Sequence, residues 1–140
     1  MSVTVNARAL LAMANEARGA SYSPYSGITV GAALLTADGK VYRGANIENA
    51  SYSPTICAER VAFFKAITEG ERNFVAIAIA GGEAGKPAKA DFPPCGVCRQ
   101  VMREFCEDDF VIYMVDEKGY EERTLAQLLP CSFVASKHMV

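Results

Sequence analysis

The sequence predicts an α/β fold, one mixed sheet with helices on both faces, on three observations. Apolar runs at residues 28–35 and 41–47 are joined through Asp38-Gly39, which is the chemistry of a β-hairpin. A wholly apolar run at 74–80, a helical stretch at 95–106 and a second apolar run at 110–115 form a strand-helix-strand crossover, which pairs its strands in parallel and is right-handed. Leu10, Leu11, Ala14 and Ala17 recur at helical spacing, so the chain opens with an amphipathic helix that has one sheet face to cover.

Taken in order, the first helix spans 7–18, with Thr4 or Asn6 as its cap and Gly19 as its stop. Ser21 to Gly27 is turn chemistry, and the hairpin follows it. A second helix runs over 57–69, entered through Pro54-Thr55 and closed by Gly70. After the strand at 74–80 comes a long loop, 81–94, expected to be mobile. Gly81-Gly82-Glu83-Ala84-Gly85-Lys86 in it superficially suggests a phosphate cradle. It is not one, because that pattern needs Gly where Ala80 stands and Ser or Thr where Pro87 stands. A short last helix, 124–129, stops at Pro130, giving four strands in this reading.

A chain of 140 residues with 51% hydrophobic and 21% charged residues makes a single domain over 1–140, with no second core. The net charge of -2 supplies no positive field for a polyanion, so a nucleic-acid polymer is excluded as first partner. No leader pattern is visible at the start, and no apolar run approaches the roughly 20 residues that cross a bilayer, so no membrane is expected. A cytoplasmic protein follows, and five cysteines in a reducing compartment point to metal binding or catalysis rather than disulfides.

Pro94-Cys95-Gly96-Val97-Cys98 places two thiols on one face at a helix start, and Cys57 opens the other central helix. Helix starts favour thiolates, so the three converge as a zinc site. A redox Cys-x-x-Cys would leave Cys57 unexplained. Cys106 lies eight residues past Cys98, about 12 Å along a helix, and does not reach the metal. Cys131 and the lone His138 read as a packed thiol and an exposed tail residue, which leaves three protein ligands and an open position, the mark of a catalytic site. Glu59, two residues past Cys57, stands where a general base takes a proton from water. The plainer alternative is a first-turn Glu that complements the helix dipole, an interaction of about 0.3–1 kcal/mol. Arg60 is placed to donate hydrogen bonds to the thiolates and withdraw charge from three anionic ligands; a surface salt bridge is its plainer alternative.

Cys57-Ala58-Glu59-Arg60 together with Pro94-Cys95-Gly96-Val97-Cys98-Arg99-Gln100 closely resembles the small homotetrameric zinc-dependent cytidine deaminases. The resemblance continues through Tyr22-Ser23-Pro24-Tyr25-Ser26, Val30-Gly31-Ala32-Ala33-Leu34-Leu35, Asn46-Ile47-Glu48-Asn49-Ala50, Phe64-Lys65-Ala66 and Leu128-Leu129-Pro130, leaving only residues 135–140 unfamiliar. It implies a three-layer α/β/α sandwich around one mixed five-stranded sheet. It implies Zn2+ as cofactor and deamination of cytidine or deoxycytidine to the uridine product plus ammonia, as in the zinc nucleobase deaminases generally, for pyrimidine salvage. Asn46 and Glu48, a polar pair two apart at a strand end, would hold the ribose. The Ala58 carbonyl would hold the exocyclic amine, and Phe133 would reach a neighbouring subunit's pocket to cover the base, in a homotetramer. Ile28 departs from the Phe that many relatives carry there to stack on the base, so a deaminase of modified or bulky cytosine nucleosides, including antibiotics, is the alternative. A zinc module without activity would show four protein ligands, and a polynucleotide editor would show a basic patch.

Overall fold

The computed structural model describes residues 3–139; Met1, Ser2 and Val140, the ends of the expected domain, lie outside them. Helix α1, Ala7–Ala17, begins where the Asn6 side chain accepts the Ala9 N–H at 3.0 Å, and a 3₁₀ turn, Arg18–Ala20, follows it. Next come β1, Ile28–Thr36, and β2, Val41–Ala45, the expected antiparallel hairpin, with Leu35 opposite Val41 and Gly31 opposite Ala45. Helix α2, Ala58–Thr68, leads to β3, Phe74–Glu83; α3, Gly96–Phe105, leads to β4, Val111–Asp116. Strand β5, Gly119–Thr124, α4, Leu125–Leu128, and α5, Ala135–His138, complete the chain.

The sheet order is β2-β1-β3-β4-β5, antiparallel at every joint except β3 with β4, which are parallel as the crossover required. Period-two alternation divides the side chains between two cores. Ala33, Leu35, Ala76, Ala78 and Ala80 meet Leu10, Leu11 and Ala14 of α1 on one face. Ala32, Leu34, Ile77, Ile79, Ile112 and Met114 meet α2 and α3 on the other, where Phe63 is fully buried among the rings of Phe74, Phe105 and Phe110. The result is the three-layer sandwich.

Helix α2 sits unusually close to the sheet because Gly44 of β2 lacks a Cβ. One there would stand 2.3 Å from the Ala58 carbonyl oxygen and 2.6 Å from the Ala62 nitrogen. The start of α2 is thereby fixed against the hairpin.

Four expectations change, the first being that the helix ahead of Pro130 is not the last, since α5, Ala135–His138, follows it. The residue-based reading missed β5, whose Gly-Tyr-Glu-Glu-Arg-Thr sequence is that of a charged edge strand and shows no apolar face. The five strands implied by the family resemblance are the ones present. The presumed loop at 81–94 begins only after Glu83, because Gly81 and Gly82 are buried in β3 opposite Val30 and Thr29. Ladder hydrogen bonds to β1 outweigh the weak strand propensity of two glycines. Finally, β2 ends at Ala45 rather than Ile47, and Ile47 instead forms isolated bridges with Tyr22 and Ile56.

Candidate metal centre

Both central helices start at a cysteine. Cys57 is the N-cap of α2 and Cys95 the N-cap of α3, each in extended conformation, rather than first helical residues as expected; Cys98 lies in the first turn of α3. The Cys95 sulfur accepts the Cys98 N–H at 3.4 Å, which turns its thiol back over the helix mouth. The three Sγ atoms lie within 4.8 Å of one another, with Cys57 and Cys95 at 3.6 Å. Zinc bound at about 2.3 Å by tetrahedral thiolates sets its sulfurs about 3.8 Å apart, so this donor set fits zinc in number, type and spacing.

The electrostatics of the site favour a cation. A hydrogen bond from the Cys98 thiol, aided by Arg60 and Cys95 against the cost of burial, lowers Cys57 to about 5. The same shared proton raises Cys98, which stays a thiol while Cys57 is the thiolate. Arg60 Nη2 stands 3.5 Å from the Cys57 sulfur, and its buried Nε has no partner. Glu59 is 4% exposed, and its Oε1 also lacks a partner. Burial, reinforced by the Cys57 charge, pushes its carboxyl up to about 7. A buried carboxyl poised near neutrality with a free oxygen has the chemistry to take up and release a proton.

The other expected residues divide. Asn46 is buried, and its amide accepts the Val30 N–H at 2.8 Å and donates to the Ile28 carbonyl at 2.9 Å, fastening the end of β1. Its second amide N–H is left over from this pair of bonds. Glu48, held below the usual carboxylate range by the Ser26 hydroxyl, also accepts the Tyr25 and Ser26 N–H groups at 3.0 and 3.1 Å. These two lie beyond the end of β2, not within it. Ile28, half-buried, shares its strand face with Val30, Ala32 and Leu34, the face that α2 and α3 cover. Ala58 has no exposure, and its carbonyl abuts Gly44; as the first residue of α2 it also has an N–H without a partner inside the helix. Phe133 is 55% exposed, stacked on His138 at 5.2 Å, with its carbonyl accepting from Gln100 at 3.0 Å.

Cys106 packs in the α2/α3 core, where burial pushes its thiol up, while Cys131 is exposed rather than packed. His138 is exposed on α5, as a tail residue should be. Among the described residues, the only metal-holding cluster is Cys57, Cys95 and Cys98. The sequence reading assigned no role to Ser26, Gly44 or Gln100. For Ser26 a signal existed, since it lies in the turn Tyr22-Ser23-Pro24-Tyr25-Ser26; Gly44 carries none, because a close helix approach leaves no mark in sequence.

Comparison with known proteins agrees with this geometry. A family described as the cytidine and deoxycytidylate deaminase zinc-binding region matches residues 4–114. The chain is 51% identical over 127 residues to a cytidine deaminase of Halalkalibacterium halodurans, covering 90% of this chain and 92% of that one. It is 49% identical over 125 residues to a cytidine deaminase of Sporosarcina psychrophila, covering 89% and 88%. The crystal structure of cytidine deaminase from Burkholderia pseudomallei superposes with a TM-score of 0.82 at 40% identity, over 92% of this chain and all of that one. With that family matching residues 4–114, and two relatives near half identical along nearly their whole length, the chain belongs to the cytidine and deoxycytidylate deaminase zinc-binding family.

Proposed function

We propose that the protein hydrolyses cytidine and deoxycytidine to uridine and deoxyuridine with release of ammonia. The observation that carries this is the Glu59 carboxyl, buried beside three convergent thiols with its Oε1 left without a partner. Zinc held by Cys57, Cys95 and Cys98 would supply a Lewis acid that makes water reactive near neutral pH. Glu59 accepts a proton from the water that adds to C4 of the base and passes it to N3. It then carries the second proton to the exocyclic nitrogen as the C4–N bond breaks, leaving a C4 carbonyl and ammonia. Arg60 draws charge from the Cys57 thiolate.

The Ala58 N–H at the mouth of α2 suits the carbonyl oxygen of the base. Asn46, through its spare N–H, and Glu48, as an ionised acceptor, hold ribose hydroxyls, and Ile28 flanks the base. Phe133, exposed on its own chain, closes the pocket of a neighbouring subunit in a homotetramer. The protein works on free nucleosides in the cytoplasm, in pyrimidine salvage. No helix among the described residues is long and apolar enough to cross a membrane. The reading as a deaminase of bulky cytosine nucleosides is not favoured, since the relatives compared are named cytidine deaminases.

The test is ammonia release from cytidine, deoxycytidine, 5-substituted cytidines and adenosine, with Glu59→Gln beside the wild type. Turnover of cytidine and deoxycytidine is expected, and the variant should keep its zinc but lose several orders of magnitude in kcat. If Glu59→Gln retained a tenth of wild-type kcat, another residue would be the base.

A further inference from the structure

The segment that delivers Cys95 to the metal centre is Asp91-Phe92-Pro93-Pro94, and it bears on β3 at one point. Gly81 lies on the sheet face that carries Ile77 and Ile79, the face that α2 and α3 cover. A Cβ at Gly81 would stand 2.6, 2.7 and 2.8 Å from Cε1, Cδ1 and Cζ of Phe92, so the ring rests on the bare backbone of the strand. Separations under 3.0 Å are not tolerated by real side chains, and an aromatic ring has no flexible end to yield. The contact therefore requires glycine on one side and seats the ring closely on the other.

Two further features converge on the same place. Lys89 donates its N–H to the Gly81 carbonyl at 2.9 Å and sets its ammonium over the Phe92 ring at 6.0 Å. Asp91 takes φ 65°, a left-handed turn that Asp adopts more readily than most residues and that aims the chain toward Phe92. Beyond Phe92 the two prolines have fixed φ and no N–H, so this stretch transmits a displacement instead of absorbing it. Pro94 is under 2% exposed, and its carbonyl accepts the Arg99 Nε–H at 2.9 Å immediately before the Cys95 cap.

We propose that Phe92, seated on Gly81, is the positioning residue for the Cys95 thiolate, fixing the sulfur through the Pro93-Pro94 spacer. The proposal rests on Cys95 being a zinc ligand. It concerns no atom that touches the metal. Its signature is the rate of metal loss from the folded protein.

The experiment follows zinc transfer to a colorimetric chelator from purified holoprotein, with circular dichroism and Tm recorded for each variant. Phe92→Ala and Gly81→Ala should each release zinc roughly tenfold faster or more while still folded, the effect expected when the support of a ligand is removed. The Gly81→Ala/Phe92→Ala double variant should release it no faster than Phe92→Ala, because the added methyl then meets no ring. Phe92→Leu, the milder variant if Phe92→Ala does not fold, keeps an apolar cover for Gly81 and should fall between it and wild type. Additive effects in the double variant, or wild-type release from Gly81→Ala, overturn the proposal. Cys95→Ser separates it from its premise. If that variant holds zinc like wild type, Cys95 is no ligand and the functional reading is wrong in this particular; if it loses zinc while Phe92→Ala and Phe92→Leu do not, only the positioning role fails.

Discussion

Side chains of ordinary type do unusual chemistry here because of what surrounds single atoms. Cys57 is lowered to about 5 because the Cys98 thiol donates it a hydrogen bond and Arg60 brings a positive edge, which makes it a thiolate at neutral pH. Three thiols that all had to ionise would release three protons on binding zinc; with Cys57 already ionised, fewer than three should appear at neutral pH. The sign follows directly. Zinc affinity rises with pH, but between pH 6 and 8 its logarithm climbs by less than three per pH unit. Calorimetry near pH 6 in buffers of different ionisation enthalpy measures the count, best in Glu59→Gln, so that neither a zinc-bound water nor a carboxyl near 7 contributes, and a value of three would contradict the thiolate assignment. Ile28 makes a second residue-scale prediction. It lies on the site-facing side of β1 with its N–H held by Ser26 Oγ and its carbonyl by Asn46, so its backbone is fixed and only its side chain varies with substitution. An added ring in Ile28→Phe should contribute about 0.5–1.5 kcal/mol of stacking, lowering KM for cytidine roughly two- to tenfold. Activity on bulky analogues should fall in the same variant; unchanged KM values for both would place Ile28 outside the pocket.

Helix α2 brings the Cys57 cap, Glu59 and Arg60 to the site as one body, and its place is set by β2. Gly44→Ala forces a methyl to within 2.3 Å of the Ala58 carbonyl, so α2 must lift from the hairpin. The expected loss is about 1–3 kcal/mol of stability, read by urea unfolding, the usual consequence of overpacking a filled interface. An unchanged midpoint would show that α2 slides freely on β2. Elements with strong internal signals were legible in sequence: α1 from its buried Leu10, Leu11 and Ala14, the hairpin from Asp38-Gly39, and the crossover from two apolar runs flanking a helix. Where identity depends on a neighbour, the sequence misled. The continuation of β3 through Gly81 and Gly82 exists because β1 pairs with it, and β5 exists because β4 offers an edge.

At the scale of the whole molecule, Phe133 keeps 55% of its surface exposed, with its ring stacked on His138 and its backbone carbonyl accepting from Gln100. Light scattering should show four chains, and Phe133→Ala should raise KM for cytidine at unchanged zinc content. An active monomer at assay concentration would remove the shared pocket. The sequence by itself determined the α/β class, the three thiols and Glu59, because helix-start cysteines at Cys-x-x-Cys spacing and a carboxylate two residues past Cys57 are local patterns that chemistry constrains. It determined less about Asn46 and Glu48, whose polar atoms the fold partly spends on Val30, Ile28, Tyr25 and Ser26. Only the tertiary structure decided that Gly44 seats α2 against the Ala58 carbonyl and that Phe92 lies on Gly81. Those are contacts between segments far apart in the chain. Close packing settles them by the absence of atoms, and an absent methyl has no signature in the order of residues.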